Sequence, residues 1–205
     1  MSATRKGNTL RNSEKLYTLN GQSRAGKTTI ALALKDKDTQ VRNIHQLRDR
    51  AMKAMKIDVM DSISLSSSFG WFTADWHIRL KPLIERKTLI LDHYLADFIV
   101  LVDGYKELLP TITKFCEENA RIPTFAQGKH FYIDIDYATY KERSDRVNYF
   151  PNSKEQVEEI LVPQDLFDER RVRYIWLCDN TELVYVDGRF SPERLSADMK
   201  KRIRS

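Results

Sequence analysis

Cysteine is nearly absent from this chain. Cys116 and Cys178 are the only two in 205 residues, they lie far apart, and neither has a Cys or His partner at metal-ligand spacing. A disulfide framework and a zinc site are not indicated, and a reducing, cytoplasmic compartment is expected. Long apolar runs are missing too. None approaches the roughly 20 residues of a membrane-spanning helix, and the polar opening MSATRKGNTLRNSE lacks the apolar core of a secretory signal, so no membrane association is expected. Nor does charge of one sign dominate: 34 basic and 29 acidic residues leave +5, scattered along the chain. That balance suits a site for polyanions but supplies no basic block of the kind that binds nucleic acid by charge alone. Glycine, finally, is scarce at seven residues, which makes two glycines five positions apart informative.

Those two glycines lie in the stretch 15–29, KLYTLNGQSRAGKTT, where Gly21, Gly26, Lys27 and Thr28 stand at the spacing G-x-x-x-x-G-K-T after a short strand-like alternation. This is the Walker A pattern in its required context. Gly21 and Gly26 allow positive φ and a close approach of backbone to a phosphate, so that successive N–H groups converge on its oxygens. Lys27 is placed to reach β and γ oxygens, Thr28 to bind Mg²⁺, and the helix starting near Gly26 points its positive end at the anion. The implied ligand is a nucleoside triphosphate with magnesium, ATP in the simplest case. Gly21, Gln22, Ser23, Arg24, Ala25, Gly26, Lys27, Thr28 and Thr29 are its expected binding residues.

A length of 205 residues allows one sizeable core and is short for two. Residues 15–205 are therefore expected to form one domain behind a loose polar segment, residues 1–14. TTIALALK reads as a helix ended by the charge cluster at residues 35–39. Apolar residues recurring from Ile44 predict an amphipathic helix to about Lys56, followed by a Ser-rich loop over 62–70 and a helical stripe of Phe72, Trp76, Leu80, Leu83 and Ile84. The run Thr88–Asp92, continuously apolar and ended by a carboxylate, has the pattern of a buried parallel strand whose carboxyl end faces a site. Helices over 94–106 and 111–120, a strand over 130–135, a charged segment over 140–149, and a helix or helix pair between 153 and 175 come next. A strand over 183–186 and a helix from Ser191, as N-cap, to Ile203 complete the chain. Strands separated by helices argue for an α/β fold with a parallel sheet.

Four segments together resemble the thymidylate kinases among the P-loop nucleoside monophosphate kinases: GQSRAGKTT; WFTADWHIRLKPLIERK leading into LILDHYLADFIV; FYIDIDYATYKERSDR; and LVYVDGRFSPERLSADMKKRI. The first is shared by many P-loop proteins. The second is more specific, since an aromatic-x-Ala-Asp-Arg helix before a strand ending in Asp-Arg-Tyr is characteristic of that family. The resemblance implies a three-layer P-loop NTPase fold with helices on both faces of the sheet. It also implies that Asp92 lies at the Mg²⁺ and the acceptor phosphate, that Phe72 stacks on the acceptor base, and that Arg143 and Arg146 belong to a lid at about residues 138–150. There they would clamp the transferring phosphoryl group. Trp76, His93 and Tyr94 fall at acceptor-contact positions, and Thr28 with Asp92 at the metal.

The departures concentrate in the acceptor half. Trp76 stands where the family has the arginine that reads the base edge, His93 where it has the arginine that holds the acceptor phosphate, and Leu101 and Val102 replace a Tyr-Gln pair. The expected function is thus ATP-dependent phosphorylation of a pyrimidine deoxynucleoside monophosphate. Two alternatives stand beside it. One is a relative that phosphorylates a deoxynucleoside or a modified pyrimidine hydroxyl in single-stranded DNA, with Trp71 and Trp76 as stacking surface. The other is a non-catalytic nucleotide-binding regulator. The resemblance also implies a homodimer, which the apolar helix faces would permit.

Overall fold

The computed structural model describes residues 15–43, 73–74, 76–147 and 161–204. The expected helix over 44–56, the Ser-rich loop, Phe72 and the far end of the lid lie outside them. Five strands form one all-parallel sheet in the order β2-β3-β1-β4-β5, where β1 is Leu16–Asn20, β2 Thr39–Asn43, β3 Thr88–Asp92, β4 Lys129–Asp134 and β5 Leu183–Asp187. Between them run α1 (Lys27–Leu34), a π-helical turn Trp76–Leu80 leading into α2 (Lys81–Ile84), α3 (Leu95–Ile99), and α4 (Tyr105–Phe115), which continues as a π-helical turn Cys116–Ala120. Then come α5 (Tyr137–Val147), α6 (Gln164–Asn180) and, after β5, α7 (Pro192–Arg204).

The three central strands are buried on both faces because helices cover both. Leu16, Leu89, Leu91, Tyr132 and Leu183 pack with Trp76, Leu80, Ile84, Tyr94, Tyr174 and Leu177 on one side. Tyr17, Leu19, Ile90, Phe131, Ile133 and Val186 pack with Ile30, Leu34, Tyr140, Phe167, Leu195 and Met199 on the other. Neighbouring strand residues thus alternate between two cores, as the pleat requires. This is the three-layer α/β arrangement of a P-loop NTPase. The connection leaving β1 runs toward β2 and that leaving β4 runs toward β5, so a crevice opens above the carboxyl ends of the central strands.

Three elements differ from the sequence expectation. The strand β2 was not anticipated: TQVRN is polar and lies at the sheet edge, with only Thr39 buried, so its pairing with β3 holds it rather than an apolar pattern. The helix expected over 94–106 stops at Ile99 and restarts after Gly104, which takes φ 71°; Pro110 is accommodated inside α4 instead of dividing it. The helix α6, Gln164–Asn180 after Pro163, runs on beyond the expected end near 175. At α7 the Arg194 N–H reaches Ser191 Oγ at 3.4 Å, in keeping with the expected cap. Among the described residues no helix is long and apolar enough to cross a membrane.

Candidate functional site

The loop between β1 and α1 is shaped by two glycines. Gly21 has φ 139°, and a Cβ placed there would meet Ile133 O at 2.6 Å; Gly26 has φ 90°. Neither position suits an L side chain. Ala25 N–H closes the turn on Gln22 O (3.3 Å), and Gln22 Nε2 donates to Phe167 O (2.9 Å), tying the loop to α6. The Lys27 ammonium folds over the loop and donates to Gly21 O (2.5 Å) and Gln22 O (2.8 Å). Burial lowers its pKa, while the charges of Asp97 and Asp92 work in the opposite direction.

Asp92 ends β3 and is fully buried. The Thr28 hydroxyl donates to its Oδ2, as does Asn43 Nδ2 at 2.8 Å; parallel register sets Asn43 beside Asp92. Its Oδ1 is buried with no hydrogen-bond partner among the described residues and lies 3.7 Å from His93 Nε2. A hydroxyl and a carboxylate with one buried oxygen lacking a hydrogen-bond partner among the described residues, next to the loop after β1, fit a hard divalent cation that takes its remaining ligands from water and phosphate. His93 takes φ 76°, uncommon outside glycine, and its Nδ1 is 2.6 Å from Asp97 Oδ2. Asp97 Oδ1 accepts Gly21 N–H (2.9 Å) and the Tyr174 hydroxyl (2.6 Å). Burial favours the neutral acid at Asp97, but the charge and hydrogen bond of His93, the charge of Lys27 and the Tyr174 hydrogen bond outweigh it, so its pKa is lowered.

Across the loop stands α5. Arg143 donates to Arg24 O and Ala25 O, both at 3.2 Å, and to Gly188 O at 2.7 Å. One guanidinium thereby joins the loop after β1 to the turn after β5. On that turn Arg189 pairs with Asp187, and Arg194 lies over the Phe190 ring at 3.8 Å. A cavity of about 1000 Å³ runs from the loop past His93 to Thr139 and Glu142 of α5 and to residues 189–192.

The structure brings together Ser23, Arg24, Gly26, Lys27, Thr28, Thr29, His93 and Arg143 around this cavity, with Asp92 beside it. Gly21, Gln22 and Ala25 form the turn beneath. Two of the expected acceptor contacts, Tyr94 and Trp76, lie in the core. Tyr94 is fully buried, its hydroxyl donating to Pro123 O (2.6 Å) and its ring stacked on His130, so its surfaces are already taken by the protein. Trp76 is 2 % exposed and packs in the core with Leu80 and Ile84. Phe72 lies outside the described residues, as does the side chain of Arg146. Sequence reasoning missed Asn43, Asp97 and residues 189–192. For Asp97 a signal existed, since it follows His93 by four residues; Asn43 had none, because only strand register puts it beside Asp92.

No protein-family model and no curated protein sequence matches the chain. Among solved structures, a thymidylate kinase from Candida albicans, described as having broad substrate specificity, is similar with a TM-score of 0.57. The likeness covers 92% of this chain and 90% of that one at 15% identity. It is a likeness of fold.

Proposed function

We propose that this chain is an ATP-dependent, Mg²⁺-requiring phosphotransferase whose acceptor is a pyrimidine deoxynucleoside monophosphate. The observation that carries the reading is the meeting of Thr28 and Asp92 at the end of β3, with a bare buried carboxylate oxygen, directly beside a loop whose lysine is folded over it. In this reading the loop amides bind the donor β-phosphate. Lys27 exchanges the carbonyls of Gly21 and Gln22 for β and γ oxygens, a contact that strengthens as charge moves onto the leaving group. Thr28 and Asp92 would hold a magnesium ion, which when bound would neutralise charge on the phosphates. An acceptor oxygen forms the new bond to the γ-phosphorus as the bond to the β–γ bridging oxygen breaks, leaving ADP. Arg143, already at the loop, would supply positive charge to the equatorial oxygens.

A second reading keeps the donor half and changes the acceptor to a hydroxyl, on a deoxynucleoside or a modified pyrimidine in single-stranded DNA. His93 favours it, because a histidine engaged with Asp97 does not offer the bidentate fork by which an arginine holds a phosphate monoester. Incubation with γ-labelled ATP and Mg²⁺ against deoxynucleosides, their monophosphates and oligonucleotides separates the two. Label on pyrimidine deoxynucleoside monophosphates supports the first reading, and label on nucleosides or DNA replaces it with the second. Tight ATP binding without transfer to any acceptor would leave a nucleotide-binding regulator.

A further inference from the structure

Asp97 stands where the phosphate loop, α6 and the β3–α3 turn meet. Its Oδ1 accepts from Gly21 N–H at 2.9 Å and from the Tyr174 hydroxyl at 2.6 Å, and its Oδ2 lies 2.6 Å from His93 Nδ1. The two oxygens have separate partners. The backbone N–H cannot turn away, so Oδ1 is held toward the loop, and the planar carboxylate then directs Oδ2 at the imidazole. An imidazole that gives Nδ1–H to a carboxylate has its ring plane set and its other nitrogen aimed. Here that nitrogen, Nε2, lies 3.7 Å from Asp92 Oδ1. The His93 backbone is held in the left-handed region with its N–H on Leu19 O at 3.0 Å, and this conformation goes with the ring's approach to Asp97.

We propose that Asp97 is the positioning residue of this site: it orients His93 toward the acceptor end while anchoring the first amide of the phosphate loop, so that one carboxylate sets both halves in register. The proposal rests on the donor-site reading of the loop given above. It also separates from that reading by experiment, because Asp97→Asn divides the two tasks. The amide oxygen must stay on the side of Gly21 N–H, which has a proton to give and nothing else to accept. The NH₂ group is then turned to His93 Nδ1, which can remain in place only by giving up its own proton. The loop anchor survives and the imidazole is reversed.

The test is a long-range ¹H–¹⁵N correlation of the His93 ring nitrogens in ligand-free wild type and Asp97→Asn, alongside ATP affinity by calorimetry and acceptor kcat and KM. The wild type should carry a proton on Nδ1 and the variant should not. Acceptor kcat/KM should fall at least about tenfold while the ATP Kd moves by less than about threefold. Tyr174→Phe, which removes one donor from Oδ1 and leaves the imidazole pairing, should keep Nδ1 protonated, and it serves if Asp97→Asn does not fold. A bare Nδ1 in the wild type, an unchanged ring in Asp97→Asn, or equal losses of ATP affinity and acceptor kcat/KM would overturn the proposal, the last leaving Asp97 a loop anchor alone. If the wild type transfers phosphate to no acceptor, the kinase reading fails and the acceptor part of the proposal with it, while the ring-nitrogen comparison still decides whether Asp97 sets the His93 imidazole.

Discussion

Asp92 concentrates the residue-scale chemistry in one side chain. Two donors share its Oδ2 and, among the described residues, none reaches its Oδ1, an asymmetry that a cation or an acceptor group would complete. Asp92→Asn keeps an oxygen for Thr28 and Asn43 and removes a buried charge, so unfolding free energy should change by no more than about 1 kcal/mol. Turnover should nevertheless fall about a hundredfold or more. Chemical denaturation and steady-state rates on the same preparation check this; a large loss of stability with activity per folded molecule unchanged would make Asp92 structural. At this scale much was readable in advance. The places of Lys27 and Thr28 after β1 follow from motif spacing and that of Asp92 at a strand end from the carboxylate that closes an apolar run, because such loops and strand ends carry local patterns. Asn43 and Asp97 were not readable as site residues, since what they touch is set by strand register and by a left-handed residue at position 93 that sequence does not announce. Tyr94 and Trp76 lie in the core for the converse reason: aromatics that match acceptor positions are equally good core residues.

Among the elements, α5 and β2 carry what is particular here. A single side chain of α5, Arg143, spans three carbonyls on two loops, a geometry suited to a planar fork and not to an ammonium. Arg143→Lys should therefore cost about 1–2 kcal/mol of stability and lower turnover about tenfold or more, measured by thermal unfolding and by kcat. Unaltered turnover would reduce α5 to a brace. The apolar strands were legible as short continuous runs because both faces are buried. β2 was not, because an edge strand needs only one neighbour's hydrogen bonds and can be polar throughout; likewise the break at Gly104 was obscured by Pro110, the more obvious interruption.

For the molecule as a whole, the buried centre of the sheet makes stability depend on pH. Asn20 Nδ2 donates to Thr18 Oγ1 (2.9 Å), which lies 2.9 Å from His130 Nδ1, and His130 Nε2 is 2.9 Å from Gln127 O. Burial pushes the His130 pKa down from 6.5 to about 4, against the raising effect of its backbone hydrogen bonds. With the folded value below the unfolded one, the unfolded chain binds the extra proton. Stability is therefore present above about pH 6.5 and lost as pH falls toward 4, by about 2 kcal/mol between pH 7 and 5. Urea unfolding at those two pH values measures it, and His130→Gln should flatten the slope. Asp97, whose folded pKa is depressed, adds stability that disappears only at lower pH, as the carboxylate protonates. The central claim, that the crevice above this sheet transfers a phosphoryl group, is tested most directly by following label from γ-labelled ATP with Mg²⁺ into deoxynucleotide, nucleoside and oligonucleotide acceptors. Wild type and Lys27→Ala are compared in the same assay. The account predicts labelled product with the wild type and at least about a hundredfold less with the variant, whose fold is retained. No product with any acceptor, or equal rates for the two proteins, would contradict it.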